Sequence, residues 1–159
     1  MKKILLLFFV LFVFSIGYLA GEPAPGFDNY VDFGISMKEL DSLVKNGNLK
    51  AAVGKYLILN GSISGYTVTD KDESSYSVEV ELVNGEWSGV SDVFIYRSII
   101  VFKGKEYLSR FPAKRKSTPD PGEIPINSGL IVVAKVKDTR NESGRIIPVL
   151  EGSYLRVYK

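Results

Sequence analysis

Whatever chemistry this chain does, it does without histidine or cysteine, because its 159 residues contain neither. Thiol nucleophiles, disulfides, Cys/His zinc sites and histidine-based triads are excluded together. Carboxylates, guanidiniums, amines and aromatic rings remain. Asp70, Asp72 and Glu73 are close oxygen donors of the kind Ca²⁺ takes. A Ca²⁺ site needs about six or more ligands, and the EF-hand glycine and distal glutamate do not follow here. A solvated turn is the expectation. Pairs of carboxylates can hydrolyse glycosides, but spacing singles out no pair. Gly61, Gly65 and Gly85 do not open helices, so no phosphate-cradling loop is expected. The reading is a protein that is not an enzyme and carries no metal or cofactor.

Binding is the remaining class. Arg110, Lys114, Arg115 and Lys116 gather around Phe111 and could hold a phosphate or an anionic headgroup. Asp120 and Glu123 follow closely, so the competing reading is a solvated loop. Aromatic residues concentrate in the middle of the chain, including Trp87, Phe94, Tyr96, Phe102, Tyr107 and Phe111. Most such residues belong to a core. Trp87 differs because it follows Asn84-Gly85, a tight-turn pair. A tryptophan at a turn is hard to bury, and tryptophan is enriched at interface hot spots. The candidate binding residues are therefore Trp87, Tyr96, Arg110, Phe111, Lys114, Arg115 and Lys116.

The N-terminus reads as an address. Lys2 and Lys3 precede an unbroken apolar run over residues 4–14, and small residues Ser15, Gly17, Ala20 and Gly21 follow. This is the layout of a signal peptide over residues 1–20. Cleavage is expected after Ala20, with Gly17 as the alternative site. The rival reading is a retained anchor, short against the roughly 20 residues that a spanning helix needs. Export to a bacterial periplasm or cell surface follows from either. The chain has 20 basic and 18 acidic residues, and both excess lysines lie in this segment. A neutral remainder argues against nucleic acid, whose binding is mostly cation to phosphate. Membrane contact is expected only through a retained N-terminal segment.

Elements must position these residues. GEPAPG at 21–26 is a flexible spacer, and residues 27–35 alternate aromatic and acidic types. Together, residues 21–35 read as an extended arm. Ser36 and Glu39 form a capping box, followed by Met37, Leu40, Leu43 and Val44 at helical spacing. Asn46-Gly47 ends this short helix. From residue 55 the text is β, with Gly61 predicting a bulge in the first long strand. Residues 76–82 alternate strictly, with Ser77, Glu79 and Glu81 on the wet face. Asn84-Gly85 predicts the next turn, residues 93–102 a buried strand, and 130–136 and 146–157 the last two. Residues 109–128 hold four prolines and read as a long, functional loop.

One short helix followed by five strands predicts a mainly β fold, a five-stranded antiparallel OB-like barrel over residues 36–159. Asn48-Leu49-Lys50-Ala51-Ala52-Val53-Gly54-Lys55 leads into the strand Tyr56-Leu57-Ile58-Leu59-Asn60-Gly61. This stretch resembles the opening of bacterial exported OB-fold proteins similar to the tRNA-anticodon-binding-like family. Residues 127–136 resemble that group's fourth strand and 147–157 its last, while 84–125 is longer than the pattern. The resemblance implies the barrel and no catalytic motif. The expected function is a binding or assembly module of the cell envelope that contacts a protein partner. The alternative is a small-ligand or oligonucleotide binder using the barrel face and the basic 110–116 loop.

Overall fold

The computed structural model describes residues 30–115 and 118–158. The expected signal peptide, the arm up to residue 29 and Lys116 lie outside the described residues. Among the described residues, six strands and one α-helix run in the order β1 (Val31–Asp32), α1 (Met37–Lys45), β2 (Tyr56–Asp70), β3 (Ser77–Ser88), β4 (Asp92–Lys103), β5 (Gly129–Glu142) and β6 (Arg145–Tyr158). They form one mixed sheet in the order β1-β2-β3-β4-β6-β5, and β2 also pairs with β5. Strands β2 to β6 thus close a five-membered ring.

The fold is mainly β, but the sheet is not purely antiparallel. The β4–β6 and β1–β2 pairs are parallel. The first has a topological cause. Alternating directions cannot close a ring with an odd number of strands, so one pair has to run parallel. The β4–β6 pair is also short, from Ile99↔Val149 to Val101↔Glu151. Pro148 precedes it and has no N–H with which to extend the ladder.

Within the ring, β2 serves two neighbours. Its residues 56–62 pair with β5 and 62–70 with β3. The expected irregularity at Gly61 lies further on, with the register shift between Ile63 and Gly65. Gly61 stays paired with Leu130, and a Cβ there would meet the Val83 carbonyl. Its role is close backbone approach. The Asn84-Gly85 turn is likewise corrected. β3 runs through it, with Asn84↔Tyr96 and Gly85↔Ile95 in register, and the chain turns over residues 89–91. A type I′ turn needs positive φ at both central residues. Gly89 has φ +72°, whereas neither Asn84 nor Gly85 has a positive φ.

Both ends of the ring are filled. α1 has the capping box: Ser36 Oγ accepts from the Lys38 and Glu39 amides, and Glu39 accepts from the Ser36 amide. Its C-terminus is a Schellman turn, with Gly47 N–H donating to Val44 O and Asn48 N–H to Leu43 O. Met37, Leu40 and Val44 are buried beneath it. At the other end the 109–128 loop is a plug. Phe111 is fully buried, and Tyr107 and Ile124 nearly so. Phe111 stacks on Phe102 at 6.3 Å and meets Tyr66 edge-on at 5.2 Å. Asn127 N–H donates to Ile63 O at 2.8 Å and Ile63 N–H to Ser128 O at 3.0 Å, stitching the loop to β2.

These two plugs differ in energetic weight. Phe111→Ala should lower unfolding free energy by about 3–5 kcal/mol, the usual cost of emptying a buried aromatic site. Ser36→Ala should cost about 1 kcal/mol through its cap alone. Urea unfolding of both variants checks this; equal effects would mean that the loop is not a plug.

Candidate interaction site

The pleat of the β3–β4 hairpin sorts its residues onto two faces. Even-numbered residues of both strands continue the core face: Val78, Val80, Leu82, Tyr96, Ile100 and Phe102 are all buried. Odd-numbered residues form the outer face. Towards the tip this face carries Trp87 opposite Val93 and Gly85 opposite Ile95. Trp87 is 72% exposed, and Val93 and Ile95 are about half exposed. Phe94, on the opposite face, is 55% exposed, and Val90 at the turn is fully exposed. Apolar residues therefore surround the tip.

The cause is that the hairpin outruns the ring. β2 pairs with β3 only as far as Val83, and β6 pairs with β4 only from Ile99 onward. Beyond those points β3 and β4 pair only with each other among the described residues. Lys38 of α1 braces the inner side through Glu86 at 2.9 Å, and Tyr96 donates its hydroxyl to the same carboxylate at 3.1 Å. Both hydrogen bonds hold Glu86 below the usual carboxylate range, that from Lys38 contributing most.

Below the apolar shelf the same outer face becomes a charged groove of about 260 Å³. Arg140 makes a bidentate pair with Glu79 at 2.6 and 2.7 Å. Arg97 pairs with Glu81 and lies 3.6 Å from Glu142, which is 3.8 Å from Arg140. Tyr66, Thr67 and Ile99 complete the lining. The β5–β6 hairpin is thereby fastened over β3. The Arg140 hydrogen bonds depress the Glu79 pKa, outweighing its partial burial, and Glu79 raises that of Arg140 in turn. Three carboxylates and two guanidiniums, linked to one another by these pairs, leave the groove with a slight negative excess.

The candidate residues do not converge. Trp87 is at the exposed tip, while Tyr96 is 9% exposed and buried at the hairpin base. Phe111 is in the core at the opposite end, bonded through its carbonyl to the Tyr76 hydroxyl. That tyrosine immediately precedes β3, and Trp87 is eleven residues further along the chain near the far end of the strand, roughly 36 Å at about 3.3 Å per residue. Arg115 sits 4.2 Å above the Tyr66 ring, Lys114 is exposed and Arg110 half-buried. The 70–75 turn is self-satisfied: Asp70 accepts from the Asp72 amide at 3.0 Å and the Ser75 hydroxyl at 2.7 Å. Among the described residues no group of three or more acidic side chains could hold a metal.

Sequence reasoning missed Arg97, Arg140, Glu142, Val93 and Ile95. The strict alternation around Glu79 and Glu81 was the available signal, since it fixed the face but not the partners that cross it. No protein-family model matches the chain, and no curated protein is found similar to it.

The Glu79–Arg140 pair makes a pH prediction. A carboxylate depressed on folding stabilises the fold above the usual glutamate range, and that stability is lost as pH falls through the lowered value. Arg140→Leu should therefore be less stable than the parent at pH 7, with the gap closing at pH 3. Urea midpoints at the two pH values test it; a pH-independent gap would assign the loss to packing.

Proposed function

We propose that this protein is an exported, non-enzymatic binding and assembly module of the bacterial cell envelope. It is built on an OB-like barrel and contacts a protein partner through the β3–β4 hairpin. The observation that carries the reading is the exposure of Trp87, the only tryptophan in the chain, beside Val93 and Ile95. Exposed apolar groups clustered on one projecting element mark an interaction surface, whereas scattered ones need no explanation. Supporting the OB reading are five strands closed in a ring, a long β2 shared between β5 and β3, and an end plug contributed by the β4–β5 connection. Supporting export are Lys2, Lys3 and the apolar run that follows them.

A second reading has its own observation. The groove between Glu79 and Arg140 has room for a small ligand, on the face that OB folds use. Its guanidiniums are already engaged by carboxylates, so an oligonucleotide would have to displace those partners. Such binding would weaken steeply with salt and depend on Arg110, Lys114, Arg115 and Lys116. An aromatic interface would be far less sensitive to salt.

The test is crosslinking in intact cells, followed by mass spectrometry of whatever is joined. Trp87→Ala should abolish capture of the protein partner and leave the circular dichroism spectrum unchanged. Unchanged capture would refute the hairpin as the binding surface.

A further inference from the structure

The hairpin tip also presents a free strand edge. Among the described residues no strand pairs with the outer edge of β4 before Ile99. The Ile95 carbonyl on that edge accepts instead from a side chain, the Arg145 guanidinium, at 2.8 Å. Backbone direction alternates along a strand, so the N–H and C=O groups of Val93 point outward as those of Ile95 do. An edge with unpaired backbone groups and apolar side chains is a template for another strand.

We infer that the occupant of this edge is a second copy of the same chain, paired antiparallel through β4 about a two-fold axis at Phe94. This rests on the reading of the hairpin as the protein-binding surface and names its partner. The edge is self-complementary, as an isologous interface requires. With the axis at Phe94, Val93 of one copy faces Ile95 of the other, and Phe94 faces Phe94. The Val93 N–H of one copy takes over the Ile95 carbonyl of the other, releasing Arg145. Asp92 then lies opposite Tyr96, next to the residue whose carbonyl Arg145 has left. The charges match there. Asp92 is exposed and has no ion pair among the described residues. Arg145 is 42% exposed and has one distant carboxylate, Asp41 at 3.7 Å. The paired hairpins make a four-stranded ribbon whose two faces carry the Trp87, Val93 and Ile95 side chains and the Phe94 rings.

The absence of cysteine makes the test direct. Phe94 would be the non-hydrogen-bonded pair at the axis, with Cα atoms about 4.5 Å apart, within disulfide range. Phe94→Cys in the full-length chain should give a disulfide-linked dimer on mild oxidation, while Ser109→Cys at the far end stays monomeric. Sedimentation equilibrium of the unmodified chain should show a concentration-dependent dimer, and Asp92→Lys should weaken it at least tenfold. A chain that stays monomeric at millimolar concentration overturns the inference. So does a dimer that Phe94→Cys does not link, or one indifferent to Asp92→Lys. If the chain is monomeric yet Trp87→Ala abolishes capture of a different envelope protein, the inference falls and the functional reading stands. If Trp87→Ala leaves capture of every partner unchanged, the functional reading falls as well.

Discussion

Ring closure with an odd number of strands is the constraint from which most of this structure follows. β2, β3 and β4 alternate in direction, and so do β2, β5 and β6. The last contact, β4 with β6, has no choice but to be parallel. Parallel pairing is somewhat weaker per residue than antiparallel pairing, and Pro148 ends it early. The β3–β4 hairpin, by contrast, is antiparallel and in register over its whole length from Ser77↔Lys103 to Ser88↔Asp92. The strong pair therefore extends beyond the weak one. The tip projects where β2 leaves β3 at Val83 and the short parallel pair leaves β4 at Ile99.

Closing the ring leaves two open ends, and the chain fills them by different means. α1 is too short to persist alone and depends on its apolar face and its caps. Its one buried charge, Asp41, is held by Lys45 at 2.6 Å and approached by Arg145. A buried carboxylate left without partners would destabilise the fold strongly; Lys45 answers Asp41 from within α1, and the approach of Arg145 at 3.7 Å links α1 to the start of β6. The other plug has little regular structure. It relies on Tyr107, Phe111 and Ile124, with polar anchors such as the Tyr66 hydroxyl on the Pro112 carbonyl at 3.0 Å. A proline-rich connection suits this use, since it loses less conformational entropy on ordering than a freer one would.

The local grammar of the sequence was readable where a single element decides the outcome. Ser36, Glu39 and Gly47 define the helix because capping depends on residues within one turn. Alternation from Val78 to Leu82 defines β3 because the pleat has period two. The reading failed where the deciding partner is distant in sequence. Asn84-Gly85 has the composition of a turn, but its register against Tyr96 and Ile95 keeps it extended, and Gly89 supplies the positive φ instead. Phe111 has basic neighbours, which drew attention to its surroundings, while its ring goes to Phe102 and Tyr66. Arg97 and Arg140 gave no local sign of their partners, because Arg97 meets Glu81 only through the β3–β4 register and Arg140 reaches Glu79 from β5. Trp87 was legible for an incomplete reason: it is exposed, but as a strand residue of a projecting hairpin.

The outer β3–β4 face shows how the chain separates holding itself together from reaching outward. At the groove, every charged side chain is matched by another across strands, and the pairs tie the β5–β6 hairpin down. Their exchange with an outside ligand would require breaking a bidentate Arg140–Glu79 contact, costly for a partly buried pair. At the tip, among the described residues, no element covers Trp87, Val93 and Ile95, and burying them would gain roughly 25 cal/mol per Å² of apolar surface removed from water. An uncovered apolar hairpin also exposes a chain to indiscriminate pairing, which natural proteins restrain with charges at the edge. Asp92 and Glu86 sit within the hairpin strands and Arg145 beside them. In the proposed pairing such charges tolerate only a partner strand that answers them, so the groups that restrain indiscriminate association at this tip would be the same ones that select its partner.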